Sequence, residues 1–137
     1  MGLEPVPMVV FPKGAWYALD AACDMGYDIV GLDWLHDPAE AVKTVGDRPI
    51  VLQGNADPGV LYGSHAAITQ TVTEMVKGFD WANRKKGWIV NLGHGSFIWS
   101  LKSWHVADII PGITPFVNPD DLKFFFQEIH RLTKTDA

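Results

Sequence analysis

Apolar residues fall along this chain in a repeating order, a short unbroken run followed by a longer stretch of helical spacing. Residues 6–11 are almost continuously apolar, and after Lys13-Gly14 the stretch 15–25 places Leu19, Ala22 and Cys23 on one helical face before Gly26 closes it. Residues 29–32 form a second apolar run. Asp37-Pro38-Ala39-Glu40 then opens a helix with a capping carboxylate, a proline at the first helical position and an acid where a capping box needs one, and Gly46 ends it. Residues 49–52 predict a third strand, leading into Gln53-Gly54-Asn55-Ala56-Asp57-Pro58, a turn-rich segment whose glycine and proline argue against regular structure. A long helix follows from about Ser64, with Ile68, Val72, Met75, Val76 and Phe79 facing a core and Thr69, Thr73 and Lys77 outside. Residues 88–92 predict a fourth strand ending in Gly93-His94-Gly95. The last helix starts at Asn118-Pro119-Asp120-Asp121 with Leu122, Phe125, Phe126 and Ile129 as its apolar face.

Strands that are apolar without alternation are buried on both faces, the habit of parallel strands covered by helices. Strand and helix alternate four times. With right-handed crossovers this α/β order allows either a small doubly wound sheet or half of an eight-stranded barrel, and periodicity alone does not choose.

Composition narrows the function. The 137 residues are 47% hydrophobic and 20% charged, as in an ordinary globular domain, and the net charge of -5 argues against nucleic acid as a partner. No stretch approaches the about 18 apolar residues of a membrane span, so no membrane partner is expected and a cytosolic location is. Cys23 is the single cysteine, which excludes an internal disulfide and fits a reducing compartment.

In either architecture the chemistry gathers at the C-terminal ends of the strands. Lys13, Asp33, Asp57 and His94 stand there. Asp33 and Asp57 could act as paired carboxylates, but a turn-starting Asp57-Pro58 and a loop-bonding Asp33 are the simpler readings, and a lone Lys13 is more often a solvated charge. His94, between two glycines, is the sharpest candidate, although on pattern alone a plain loop histidine is the simpler account. Neither GxGxxG nor GxxxxGK[ST] occurs, and His36, His65, His105 and His130 show no zinc-ligand spacing, so no metal and no nucleotide cofactor is expected.

The strand-end segments Gly31-Leu32-Asp33-Trp34, Leu52-Gln53-Gly54-Asn55-Ala56-Asp57-Pro58 with Leu61-Tyr62, and Asn91-Leu92-Gly93-His94-Gly95 resemble those of the uroporphyrinogen decarboxylase family in order and spacing. Pro7-Met8-Val9-Val10-Phe11 with Lys13-Gly14 and the closing helix extend the likeness over nearly the whole chain. The resemblance implies the C-terminal half of a TIM (β/α)8 barrel, four parallel βα units, with four further units expected upstream. It implies cofactor-independent decarboxylation of the four acetate side chains of uroporphyrinogen III to coproporphyrinogen III in heme biosynthesis, with porphyrinogen as ligand and a homodimer as the family's assembly. The family's aspartate, arginines, tyrosine and serine belong to the upstream part, so no catalytic residue is assigned here. His94 matches the family's last strand-end histidine and is implied to bind substrate by a hydrogen bond. Residues 1–137 then form one piece of the decarboxylase domain with residues 96–112 inserted, a departure read as a retained intron or alternative exon. The chain alone is expected to be inactive. Two alternatives stand beside this: a related methyltransferase with a zinc-bound thiol, against which the lone helical cysteine argues, and a non-catalytic truncated isoform that binds porphyrinogen or full-length subunits.

Overall fold

The computed structural model describes residues 5–80, 87–93 and 119–134. Its strands are β1 (Val9–Val10), β2 (Ile29–Gly31), β3 (Val51–Ala56) and β4 (Trp88–Leu92). Its helices are α1 (Leu19–Asp24), α2 (Pro38–Val45), α3 (His65–Gly78) and α4 (Pro119–Thr133), with 3-10 turns at Trp16–Ala18 and Pro58–Tyr62. Among the described residues no helix is long and apolar enough to cross a membrane.

Local chemistry sets these boundaries. The Asp37 carboxylate accepts from the Ala39 and Glu40 amides at 2.8 and 3.0 Å, so the first free N–H groups of α2 are satisfied. Ser64 does the same for α3 through its hydroxyl, which accepts from Ala67 N at 3.2 Å. The helix expected at 15–25 begins instead as a 3-10 turn, and only Leu19–Asp24 is α-helical.

A larger difference concerns the segment after residue 52. The sequence pattern argues against regular structure there, yet Gln53, Gly54, Asn55 and Ala56 continue β3, in register with Ile89, Val90, Asn91 and Leu92 of β4. The adjacent strand supplies the ladder that local propensity does not. Gly54 permits it, because its φ is +145° and a Cβ there would lie 2.9 Å from the Leu32 carbonyl oxygen.

All three strand pairings are parallel, and the order across the sheet is β1-β2-β3-β4. A doubly wound sheet needs a point where the order reverses, and none occurs among these strands. With right-handed crossovers, three steps in one direction put the connecting helices on the same face, which is how a barrel is built. The helical layer fits this, since α1 packs on α2, α2 on α3 and α3 on α4.

Register assigns each strand residue to a face. Val30, Leu52 and Trp88 are neighbours turned toward the helices and are 0%, 0% and 7% exposed. There they meet Leu19, Ala41, Val45, Ile68, Val72 and Phe79, and the Trp88 ring stacks on Phe79 with centroids 4.4 Å apart. The alternate positions form the other face, where Val9 is 53% and Ile89 40% exposed. Burial on both faces was the expectation. Among the described residues the helix-side face is the better covered and the other is open at Val9 and Ile89, because the groups that would fill a barrel interior come from the opposite side of the ring.

Two expectations for helix faces also change. Leu122, Phe125 and Ile129 are buried against α3, whereas Phe126, although its spacing from Leu122 and Ile129 fits the same stripe, lies at its margin and is 48% exposed. Thr69 and Thr73, expected outside, are half-buried. The docking of α4 covers this side of α3, where Thr69 hydrogen-bonds the buried Glu128, itself held by Arg131 Nε and Nη2 at 3.0 and 2.9 Å.

An apolar sheet face that is half open favours association. The 137-residue chain is expected to self-associate in the micromolar range by sedimentation velocity, and Ile89→Lys to shift it toward monomer. A concentration-independent monomer with a cooperative thermal transition contradicts this.

Candidate ligand-binding site at the strand ends

The C-terminal ends of the four strands are tied together by two side chains and one glycine. Asp33, just past β2, is 6% exposed. Its Oδ2 accepts from Gly14 N at 2.7 Å and its Oδ1 from Leu35 N at 3.0 Å, so one carboxylate fixes the loop after β1 and its own loop. Gly14 takes φ +71°, the turn that brings its amide to the carboxylate. A carboxylate accepting two backbone amides makes charge-assisted bonds, which are stronger than neutral ones.

Asn55 extends the knot to β3. It is 4% exposed, and its side-chain NH2 donates to the carbonyls of Asp33 at 2.8 Å and His36 at 2.6 Å. Gly93 brings in β4. Its amide donates to Ala56 O at 2.7 Å, and its Cα lies so close to the chain at Asp33 and Trp34 that a Cβ would overlap the Trp34 backbone nitrogen.

The sequence candidates fall out as follows. Asp33 is a loop anchor. Asp57 also has a structural task, since its Oδ1 accepts from Gly59 N at 2.7 Å and caps the 3-10 turn. These two carboxylates are therefore committed to backbone amides. Lys13 lies with its Nζ 5.8 Å from the centre of the Trp34 ring, a cation over an aromatic face at the rim of the strand ends. His94 and residues 96–112 lie outside the described residues. Cys23 is buried in the helical layer on α1, away from the strand ends, and burial pushes its thiol above the usual value. Among the described residues no three of His, Cys, Asp and Glu converge on one point.

Sequence reasoning passed over Asn55, treating it as part of a turn. Its signal was available only in the register, which sets it beside Asn91 on the face opposite the helices. Gly93, noted in the sequence only as a flank of His94, has a packing role in its close approach to the Asp33 and Trp34 backbone.

His36 adds a pH dependence. It lines a small crevice with Pro12, Trp16, Leu19 and Asp33, and burial lowers its pKa from 6.5, opposed by the nearby Asp33 and Asp37 charges. The folded chain therefore binds fewer protons at this imidazole than the unfolded chain does, so the stability it contributes is complete above about pH 6.5 and is lost as pH falls. Glu128, whose pKa is lowered chiefly by its bond to Arg131, acts only in a more acidic window, below its usual 4.5. The urea midpoint is expected to drop between pH 7.5 and 5.5 and His36→Gln to flatten the drop, whereas identical slopes contradict it. Gly93→Ala, which forces the Trp34 backbone to move, is expected to destabilise by about 2 kcal/mol or more in the same assay, and a change within about 0.5 kcal/mol contradicts the packing role.

Comparison with known proteins places this arrangement. The family model described as "Uroporphyrinogen decarboxylase (URO-D)" matches residues 2–132. The uroporphyrinogen decarboxylase of Schizosaccharomyces pombe is 45% identical over 128 residues, covering 93% of this chain and 30% of that protein. That of Danio rerio is 36% identical over 129 residues, 94% of this chain and 29% of that protein, and that of Homo sapiens 43% identical over 96 residues, 70% and 25%. This chain thus spans about 30% of the length of the curated relatives it matches. The match resolves the choice left open by periodicity, since the four parallel units are part of a TIM barrel. On the strength of the match over residues 2–132 and the unreversed parallel order of its strands, the chain belongs to the uroporphyrinogen decarboxylase family.

Proposed function

We propose that this chain supplies the last four βα units of a uroporphyrinogen decarboxylase, residues 1–137 belonging to one barrel domain with residues 96–112 inserted in it. The complete enzyme converts uroporphyrinogen III to coproporphyrinogen III in cytosolic heme biosynthesis. The observation that carries this reading is the family match along nearly the whole of a chain whose strands run in barrel order.

The chemistry asks little of a cofactor. Protonation of a pyrrole carbon beside an acetate side chain makes a cationic iminium, the bond to the carboxyl carbon breaks, and its electron pair flows into the ring as carbon dioxide leaves. A second proton then converts the exocyclic carbon to a methyl and a ring proton is released, so each acetate consumes one proton net. The pyrrole is the electron sink, and the protein's part is to hold a polyanion in place and to stabilise one ring's transient positive charge.

Within that scheme this arc supplies shape and hydrogen bonds. Gly93, the immediate predecessor of His94 in sequence, is anchored to Ala56 and packed on Trp34, and His94 is proposed to hydrogen-bond the substrate. A chain of net charge -5 does not attract a polyanion by charge, so the cations that hold the carboxylates come from the rest of the barrel. By itself the chain is inactive for that reason. Pairing into the homodimer of the family is part of the same proposal.

A chimera of the Schizosaccharomyces pombe enzyme, its matching C-terminal part replaced by this chain, is expected to decarboxylate uroporphyrinogen. The 137-residue chain alone is not, and His94→Ala in the chimera is expected to lower kcat/KM about tenfold or more. Turnover by the chain alone at the chimera's rate, or an unaffected His94→Ala, contradicts the reading.

A further inference from the structure

Asn91 carries an assignment of its own, which rests on the porphyrinogen-binding reading and sharpens it. The face of the sheet opposite the helices is apolar along most of its length, at Val9, Ile29, Val51 and Ile89. It turns polar near the strand ends. Gln53 there is half-buried, and Asn55 is buried with its NH2 committed to the Asp33 and His36 carbonyls.

Asn91 differs from both. It is exposed, at the C-terminal end of β4, two residues after the partly exposed Ile89 on the same face. The Leu92 amide donates to its Oδ1 at 2.9 Å. A backbone N–H can only donate, so the side-chain oxygen must be the atom that faces it, and the orientation of the amide follows. The NH2 is thereby left as the group presented to a ligand, with no acceptor among the described residues.

A donor held in one orientation at the end of a strand suits a ligand with anionic side arms. We infer that Asn91 is a substrate-binding residue, its NH2 donating to a carboxylate side chain of the tetrapyrrole at the C-terminal mouth of the strands, where the functional groups of a barrel gather. Bonds to an ionised carboxylate contribute more than neutral ones, so the residue sets affinity for acidic tetrapyrroles.

The test is equilibrium binding of uroporphyrin, a stable aromatic analogue that does not react, to the 137-residue chain, followed by tryptophan quenching. Asn91→Asp keeps the side-chain shape and an acceptor for the Leu92 amide but replaces the donor by a negative charge. It is expected to weaken binding about tenfold or more with the unfolding transition unchanged, and Asn91→Ala to weaken it about threefold. Lys77→Met, on the exposed side of α3, is expected to leave binding as it is. Equal binding by wild type and Asn91→Asp overturns the assignment alone and leaves the reading of the arc standing. Failure of the wild-type chain to bind at all also overturns the assignment, whereas the reading of the arc stands or falls with turnover by the chimera.

Discussion

The carboxylate of Asp33 is the constraint on which the strand ends depend. It receives the amides of Gly14 and Leu35, and the carbonyl of the same residue receives the NH2 of Asn55. Gly93 then packs against the next peptide. Loops after four parallel strands have no ladder to hold them, and each would otherwise explore its own conformations at a cost in order of about 1–2 kcal/mol per residue fixed. Buried polar groups that are fully satisfied rigidify a site, and those left half satisfied destabilise it. This knot is satisfied from several strands at once, so it converts a sheet edge into a surface of fixed shape.

That surface divides the labour of the molecule between two faces. On the helix side, Val30, Leu52, Trp88 and Phe79 build a packed core, and Trp88 also donates its indole N–H to Gly54 O at 2.8 Å, joining β4 to β3. On the opposite side the residues are apolar but open, with polar groups collected toward the strand ends. Stability therefore comes from the helical layer, and the other face is the one a barrel would enclose. Arg48, bonded to Asp20 at 2.7 Å and Asp24 at 3.2 Å, braces α1 to the segment before β3. These partners are exposed, so the brace is a minor one.

Much of this was legible in the sequence, and the parts that were not have physical reasons. The cap at Asp37, the start of the long helix near Ser64, the helix ends at Gly26 and Gly46 and the fourth strand are local signals, set within a few residues and read correctly. The structural task of Asp33 was readable too, as a loop-bonding carboxylate. What failed was non-local. The continuation of β3 through Gln53-Gly54-Asn55-Ala56 depends on the ladder with β4, and the burial of Thr69 depends on where α4 docks. Asn55 gave no motif at all, since its importance lies in reaching two carbonyls some twenty residues away.

The strand-end loops are held as one unit through Asp33 and Asn55. Amide hydrogen exchange resolved to single residues tests this most directly. In Asn55→Ala the amides of Gly14, Leu35 and Gly93 are expected to lose protection together, while those of α2 and α3 keep theirs. Protection lost only near residue 55, with Gly14 and Gly93 unchanged, would show that the loops are held independently.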